Sequence, residues 1–200
     1  MCIRDSLGIE GTGWGGPRVR PEVPNVISAR DEERYLFWTE GLSNDLSNIG
    51  DWEMPGGSGY MSMKFTYTNE NDYYNTSGAI KMNTFNNADF PLFRLADTFL
   101  MLAECQLNGV QCDGLTRLNE VRARAGMEPV AALSEDVILK ERMCELYGEG
   151  TRRSDLIRFG KFSTGRWWDK NPDADSHYEL FPLALQVLNT NSNLKQNPGY

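Results

Sequence analysis

The sequence predicts a mainly α protein, built from antiparallel helix pairs that carry long irregular loops and one small β-hairpin. Apolar residues recur at helical spacing across residues 92–107, and two further segments of this kind follow before residue 148. Asn108-Gly109 and Gly126 end the first two segments, and the short linkers require consecutive helices to run antiparallel. Helix pairs in series are the architecture of tetratricopeptide-like arrays, an α-α superhelix.

Residues 11–90 are expected to be rich in loops. Glycines and prolines surround Trp14, and Asn, Asp and Thr dominate residues 69–88. Residues 28–40 predict a short turn or helix followed by a strand-like run. The alternation over Tyr60–Tyr67 predicts an extended segment, one strand of the small hairpin.

Start and stop signals bound the three main helices. Pro91 suits a first helical turn, so the first helix is expected from Leu92. Asp113 and Ser134 are expected to cap the second and third helices. Beyond residue 161 the pattern predicts an extended segment, a short helix and an Asn-rich tail over residues 178–182, 183–188 and 189–200.

The densest charge cluster lies in residues 141–161. Glu141, Glu145 and Glu149 recur every four residues, so their carboxylates would share one face of a continuing helix. Two glycines after Tyr147 predict a turn and then a second short helix near Ser154. The favoured interpretation is a structural latch of ion pairs that joins the two helices, formed by Glu141, Arg142, Glu145, Glu149, Arg152, Asp155 and Arg158.

The alternative for this cluster is acid–base or metal chemistry by paired carboxylates. A metal site needs His or Cys nearby, and the single histidine, His177, lies far along the chain. A catalytic carboxylate pair usually keeps one member desolvated and away from arginine. Because arginines surround these glutamates, we predict no catalytic residue, no metal site and no cofactor.

The pattern E-R-x-x-E-L-x-x-E-G-x-R-x-x-D-L-x-R-x-G-K of residues 141–161 resembles the helix-turn-helix near the end of SusD-like (RagB/SusD family) proteins. Other stretches resemble the same family in the same order. They are Gly13–Arg18, Asp89–Glu104, Leu118–Gly126, Leu180–Pro182 and Gln196–Tyr200.

The resemblance implies a SusD-like carboxy-terminal region over residues 11–200, preceded by a non-native or disordered start at residues 1–10. Within it we expect a loop-rich ligand side at 11–90, a helical scaffold at 91–161, and a loop and tail at 162–200. The family's larger amino-terminal half is expected to lie outside this chain. No signal peptide and no apolar run of about 18 residues is present.

The resemblance further implies non-catalytic capture of a carbohydrate or oligosaccharide at the outer-membrane surface. The partner would be a SusC-like TonB-dependent transporter, with a lipid anchor in the missing amino-terminal part. A net charge of −8 argues against a nucleic-acid partner. The alternatives are a helical-repeat scaffold for protein interactions without a small ligand, and a hydrolase with a desolvated carboxylate in a cleft.

Aromatic side chains in polar loops are the candidate ligand contacts, because sugars stack on aromatic rings. The candidates are Trp14, Trp52, Tyr73 and Tyr74, with Trp167-Trp168 as a further exposed pair. The alternative is that each ring fixes its own loop on the scaffold. That alternative is favoured for Trp14 and remains open for the other three.

The cysteines lack the spacing of a zinc site. Cys105 and Cys144 fall in apolar helical patterns and are expected to be buried thiols. A Cys105–Cys112 disulfide across a helix end is the less favoured alternative, because spacing does not establish the required geometry.

Overall fold

The computed structural model divides into two compact units, residues 1–150 and 151–200. Six α-helices and three short strands lie in the part of the chain that the structure describes. None of the described helices is long and apolar enough to cross a membrane. The described residues are 18–19, 22–27, 31, 34–39, 42–43, 59–62, 64, 90–166 and 170–200.

A three-stranded antiparallel sheet replaces the expected hairpin. Strands β1 (Arg18–Val19), β2 (Phe37–Trp38) and β3 (Tyr60–Ser62) lie in the order β1-β3-β2. Arg18 pairs with Met61, and Phe37 pairs with Ser62. The extended segment at Tyr60 is therefore the central strand, and both of its partners come from much earlier in the chain.

Helix α1 (Glu22–Val26) was not predicted, because Pro24 within it and Pro21 before it indicated a loop. Pro24 is the third helical residue, where the backbone needs no intrahelical donor, so the ring is tolerated. Ile27 follows the helix and is fully buried, in a core cluster with Phe37, Cys144 and Tyr147. This short helix thus anchors the amino-terminal segment.

Helices α2 (Leu95–Leu107) and α3 (Gly114–Arg124) pack closely together. An added Cβ at Gly114 would lie 2.3 Å from the Leu102 carbonyl oxygen, so only glycine permits this approach. The end of α2 is confirmed, since Asn108 caps it and Gly109 adopts a φ of +88°. Its predicted start is wrong: Arg94 is an extended N-cap, and Leu95 begins the helix.

Helix α4 (Glu135–Leu146) contacts α1, α2 and α3. Ser134 caps it as predicted, and its hydroxyl accepts a hydrogen bond from the Val137 N–H at 3.2 Å. Asp113 occupies the cap position of α3, but its carboxylate binds Arg117 and forms no cap hydrogen bond. The predicted capping role of Asp113 is therefore wrong.

The unit of residues 151–200 contains α5 (Arg152–Arg158), a 3-10 turn at His177–Glu179, and α6 (Leu185–Thr190). The predicted short helix exists but is displaced by two residues, and a 3-10 turn occupies part of the segment predicted as extended. The tail is held by side chains: the Gln196 amide donates to the Leu183 carbonyl at 2.9 Å and accepts from its N–H at 2.8 Å.

The cysteines differ in exposure. Cys144 is buried, as predicted, and burial raises the pKa of its thiol to about 11. Cys105 is exposed, so its predicted burial is wrong: it lies on the outer side of α2, away from the buried Leu100 and Ala103. Both Cys105 and Cys112 are free thiols, and the Cys112 thiol lies 3.4 Å from the Leu102 carbonyl oxygen.

Candidate functional site

All the aromatic residues predicted to contact a ligand lie outside the described residues, namely Trp14, Trp52, Tyr73, Tyr74, Trp167 and Trp168. Their contribution therefore stays a prediction. Within the described residues, the charged side chains converge instead at the carboxyl end of α4.

Three glutamates form a row along this end of the helix. Glu141 and Glu145 lie one turn apart on α4, and Glu149 follows in the turn after it. All three are buried. Positive φ values at Gly148 and Gly150, +78° and +76°, let the chain turn here and bring the third carboxylate beside the second.

Glu141 binds two arginines from different parts of the fold. Arg34 donates from Nη1 to Glu141 Oε1, while its Nε lies 2.9 Å from both carboxylate oxygens of Asp31. Arg122 on α3 reaches Glu141 Oε2 at 2.7 Å. This end of the row joins α3 and the amino-terminal segment to α4.

Glu145 accepts from three guanidinium groups. Arg94 Nη1 lies 2.6 Å from Glu145 Oε1, and Arg124 Nη2 lies 2.8 Å from both of its oxygens. Arg34 Nη1 completes the set at 3.5 Å from Oε2. Each of these cations comes from a separate segment, so one helical carboxylate connects three parts of the unit.

Glu149 binds the two cations that also reach the last carbonyls of α4. Arg94 donates from Nε to Glu149 Oε2 at 2.7 Å. Lys64 Nζ contacts Glu149 Oε1 and donates to the carbonyl oxygens of Glu145 and Tyr147 at 2.9 and 3.0 Å. The helix end thus receives positive charge and donors where its carbonyls lack helical partners.

The environment shifts the pKa values of several of these groups. Burial alone would lower the pKa of Arg34, but the hydrogen bond to Asp31 and the charge of Glu141 raise it above its ordinary value. Burial lowers the pKa of Lys64 despite its contact with Glu149. Burial would raise the pKa of Glu149, but Arg94 and Lys64 outweigh that effect and lower it.

The cations bound to the three glutamates include residues from outside the stretch 141–161. The stretch 141–161 was expected to supply them itself. Within that stretch, Arg142 pairs with Asp97 at 2.8 Å, and Arg158 pairs with Asp155 at 2.9 Å. Arg152 begins α5 as a half-buried residue. The glutamates bind a set that sequence analysis missed: Arg34, Lys64, Arg94, Arg122 and Arg124.

A sequence signal for part of this set was present. Arg94 lies in the LFRLAD stretch, and Arg122 and Arg124 lie in LNEVRARAG, both of which carry the family resemblance. Nothing in the spacing of Arg34 or Lys64 indicates a partner that lies 107 or 85 residues away. Those two residues could be assigned only from the fold.

A pocket of about 270 Å³ opens beside this network. Its walls combine charged groups from the network with a few apolar side chains. Within the described residues, no group of three or more His, Cys, Asp or Glu could hold a metal ion. The lining residues are Arg34, Leu36, Lys64, Pro91, Arg94, Arg124, Cys144, Glu145, Tyr147 and Glu149.

The chain is similar to known proteins along most of its length. The SusD family model matches residues 39–200. The starch-binding protein SusD of Bacteroides thetaiotaomicron is 34% identical over 184 residues, which is 88% of this chain and 32% of that protein. The SusD-like protein P25 of Formosa agariphila is 34% identical over 139 residues, 58% of this chain and 26% of that protein.

A solved structure of a laminarin binding SusD-like protein matches with a TM-score of 0.64 and 27% identity, over 100% of this chain and 42% of that one. This match and the helices described above confirm the predicted class, mainly α with tetratricopeptide-like helix pairs. The chain spans about a third or less of the two curated relatives. Since the family model covers well over half of the sequence, the chain belongs to the SusD family.

Proposed function

We propose that this chain is part of a non-catalytic protein that captures carbohydrate or oligosaccharide at the cell surface. One observation carries the proposal: the chain aligns over 88% of its length with a protein named for binding starch. The laminarin binding neighbour, similar over the whole chain, supports the same ligand class. Starch and laminarin are both glucans, so a saccharide is the ligand that the relatives share.

The geometry of the charged cluster supports binding rather than bond chemistry. Glu145 and Glu149 line the pocket, yet each of them is bound by at least two cations. Arg94 and Lys64 lower the pKa of Glu149, and a carboxylate kept ionised in this way is a poor general acid. We assign Glu141, Glu145 and Glu149 a structural role, together with Arg142, Arg152, Asp155 and Arg158 of the proposed latch.

The ligand contacts would come from the aromatic loops of residues 11–90, which form the proposed ligand side. Trp52, Tyr73 and Tyr74 would stack on sugar rings, with Trp14 as a further candidate. Residues 91–161 would supply the rigid scaffold and residues 162–200 the closing loop and tail. The buried ion pairs would hold that scaffold firmly while the loops contact the ligand.

The second part of the proposal concerns what happens to the saccharide after capture. The captured saccharide would pass to a SusC-like TonB-dependent transporter in the outer membrane. Attachment to the membrane would be through a lipid anchor in the amino-terminal part of the protein. Family membership supports this arrangement.

The test is a binding screen of the full-length protein against neutral glucan oligosaccharides, by glycan array and calorimetry. We expect binding by the natural protein and weaker binding by Trp52→Ala. Tyr178→Ala, an exposed aromatic outside the proposed set, serves as the matched control and should bind normally. Failure to bind any saccharide would overturn the proposal.

A second candidate is a helical scaffold for protein interactions without a small ligand. One observation favours it: Leu92, Phe93 and Leu95, at and before the start of α2, are 78%, 91% and 66% exposed. Such apolar exposure is typical of interaction surfaces. Saccharide binding that depends on Trp52 would argue against this reading, and its absence would favour it.

A further inference from the structure

Two cations of the network, Lys64 and Arg94, bind the same two acceptors. Both contact Glu149 Oε1, Lys64 from Nζ and Arg94 from Nη2 at 2.8 Å. Both also donate to the carbonyl oxygen of Glu145. Arg94 makes a second hydrogen bond to Glu149, from Nε to Oε2 at 2.7 Å. The ends of the two cationic side chains therefore meet at the carboxyl end of α4.

Lys64 and Arg94 flank the segment that contains two of the candidate ligand contacts. Tyr73 and Tyr74 lie between them in the sequence. Lys64 follows strand β3, and Arg94 is the N-cap of α2. A flexible chain of roughly thirty residues holds its ends about 30 Å apart on average. The contacts that Lys64 and Arg94 share on Glu149 instead bring the two flanks of this segment together.

Glu149 also offsets the repulsion between these two cations. Burial lowers the pKa of Lys64, the hydrogen bond and charge of Glu149 raise it, and the nearby charge of Arg94 lowers it. Without the carboxylate, the two like charges would repel each other in a partly buried site, where screening by water is weak. Arg94 would keep Glu145, and Lys64 would keep its two carbonyl acceptors. Glu149→Gln should therefore loosen this junction without unfolding the unit.

The flanks of the segment that carries Trp52 are joined in a different way. Strands β2 and β3, on either side of it, pair antiparallel, and the Gly59 N–H donates to the Ser43 carbonyl at 2.7 Å. These are backbone hydrogen bonds, and none of them involves a glutamate of the row on α4. A change at Glu149 should therefore separate the flanks of the tyrosine segment and leave those of the Trp52 segment joined.

We propose that Glu149 positions Tyr73 and Tyr74 for contact with the captured saccharide, by closing the segment that carries them. The proposal rests on saccharide capture and adds a positioning residue that acts through the two tyrosines. Ligand contacts that are ordered before binding lose less conformational entropy when the ligand arrives. Closure of the segment by Glu149 therefore raises the affinity for saccharide.

The experiment is a double-mutant cycle on the full-length protein, with binding of starch and laminarin oligosaccharides measured by calorimetry. Glu149→Gln should weaken binding roughly tenfold, about the cost of ordering two side chains at the moment of binding. In the Tyr73→Ala/Tyr74→Ala background the same change should have less than about a twofold effect, because the residues that Glu149 positions are gone. In the Trp52→Ala background it should keep its full effect.

Glu141→Gln is the matched control. Glu141 is buried in the same row, but its partners among the described residues, Arg34 and Arg122, do not flank the tyrosine segment. This variant should lose stability and keep the saccharide affinity of the natural protein. Glu149→Asp keeps the charge on a shorter side chain and should recover part of the affinity that Glu149→Gln loses. Melting curves establish that each variant folds, and Glu149→Asp takes the place of Glu149→Gln in the cycle if the latter does not.

Unchanged affinity in a folded Glu149→Gln variant would overturn the inference, and so would binding that does not depend on the two tyrosines. An equal loss with and without the tyrosines would overturn it, because that loss would not act through them. Equal losses in Glu141→Gln and Glu149→Gln would do the same, by showing a general effect of the network, and this comparison decides the matter if the tyrosine variant does not bind. Each of these results leaves saccharide capture standing, whereas failure of the natural protein to bind any oligosaccharide would overturn both proposals.

Discussion

The two units use ion pairs in different ways. In residues 1–150, buried glutamates bind cations that lie up to 111 residues away in the chain. In residues 151–200, the recorded pairs Arg158–Asp155, Lys170–Asp173 and His177–Asp175 are each two or three residues apart. A long-range pair joins separate segments of the fold, whereas a pair two or three residues apart connects neighbours within one helix or turn. The same residue types should therefore have very different effects on stability.

The largest effect should follow from Glu145→Gln. This change removes the carboxylate shared by Arg34, Arg94 and Arg124. The buried Arg34 and the partly buried Arg94 each lose one counter-charge, although Arg34 retains Asp31 and Glu141 and Arg94 retains Glu149. We expect a loss of about 3–5 kcal/mol in the free energy of unfolding, measured by urea denaturation of the full-length protein. Glu120→Gln, at an exposed pair on α3, is the control. A loss below about 1 kcal/mol would mean that the network contributes no more than a surface pair.

Gly114→Ala should have the next largest effect. The new methyl group would lie within 2.3–2.7 Å of the backbone at Leu102 and Ala103, so α2 and α3 would have to separate. Overpacking of this kind costs about 1–3 kcal/mol. Thr116→Ala, exposed on the same helix, should change stability little. Equal melting temperatures for the two variants would show that the contact between the helices is looser than the structure indicates.

Low pH should weaken the ion-pair network at the end of α4, because protonation of Glu149 removes its charge. Its pKa in the folded protein lies below the ordinary value of 4.5, so its contribution is fully present above that pH. The contribution is lost as the pH falls through the folded pKa. Urea denaturation across this acidic range should show a steeper loss for the natural protein than for Glu149→Gln. Parallel curves would contradict the assignment of the shift to Arg94 and Lys64.

The smallest effect should come from the unit of residues 151–200. Asp173→Asn removes a local ion pair in which Lys170 Nζ lies 2.8 Å from Asp173 Oδ2. Solvent-exposed pairs contribute about 0–1 kcal/mol, and because these two side chains are 20% and 16% exposed we expect a loss near the upper end of that range. Urea denaturation should place this variant within that range of the natural protein. A loss comparable to that of Glu145→Gln would remove the contrast between the two units.

Sequence patterns predicted the helices where local signals agreed. The apolar spacing of α2, the Ser134 cap and the glycines after α2 and α4 each act over a few residues, and each was found where expected. Helix α1 was missed because Pro24 indicated a loop, although the first turn of a helix tolerates proline.

Only part of the candidate site could be predicted, because some of its residues come from distant segments that leave no local pattern in the sequence. The four-residue spacing of Glu141, Glu145 and Glu149 identified the acidic row. Its partners Arg34 and Lys64 come from separate segments brought together by the sheet and α1, and no periodicity links positions so far apart. The pocket depends on those segments and so could not be inferred before the fold.

The attachment of Lys64 to the last carbonyls of α4 has a consequence for the order of folding. That helix end is completed by a residue 81 and 83 positions earlier in the chain than the carbonyls it binds. Closing so large a loop costs conformational entropy before the contacts that it forms can offset that cost. Proteins in which contacts between distant chain positions dominate fold slowly for this reason. Helices α2 to α4 can form from local contacts, but the end of α4 is completed only when the sheet segment arrives. The last turn of α4 should therefore be the latest part of this unit to become protected from hydrogen exchange.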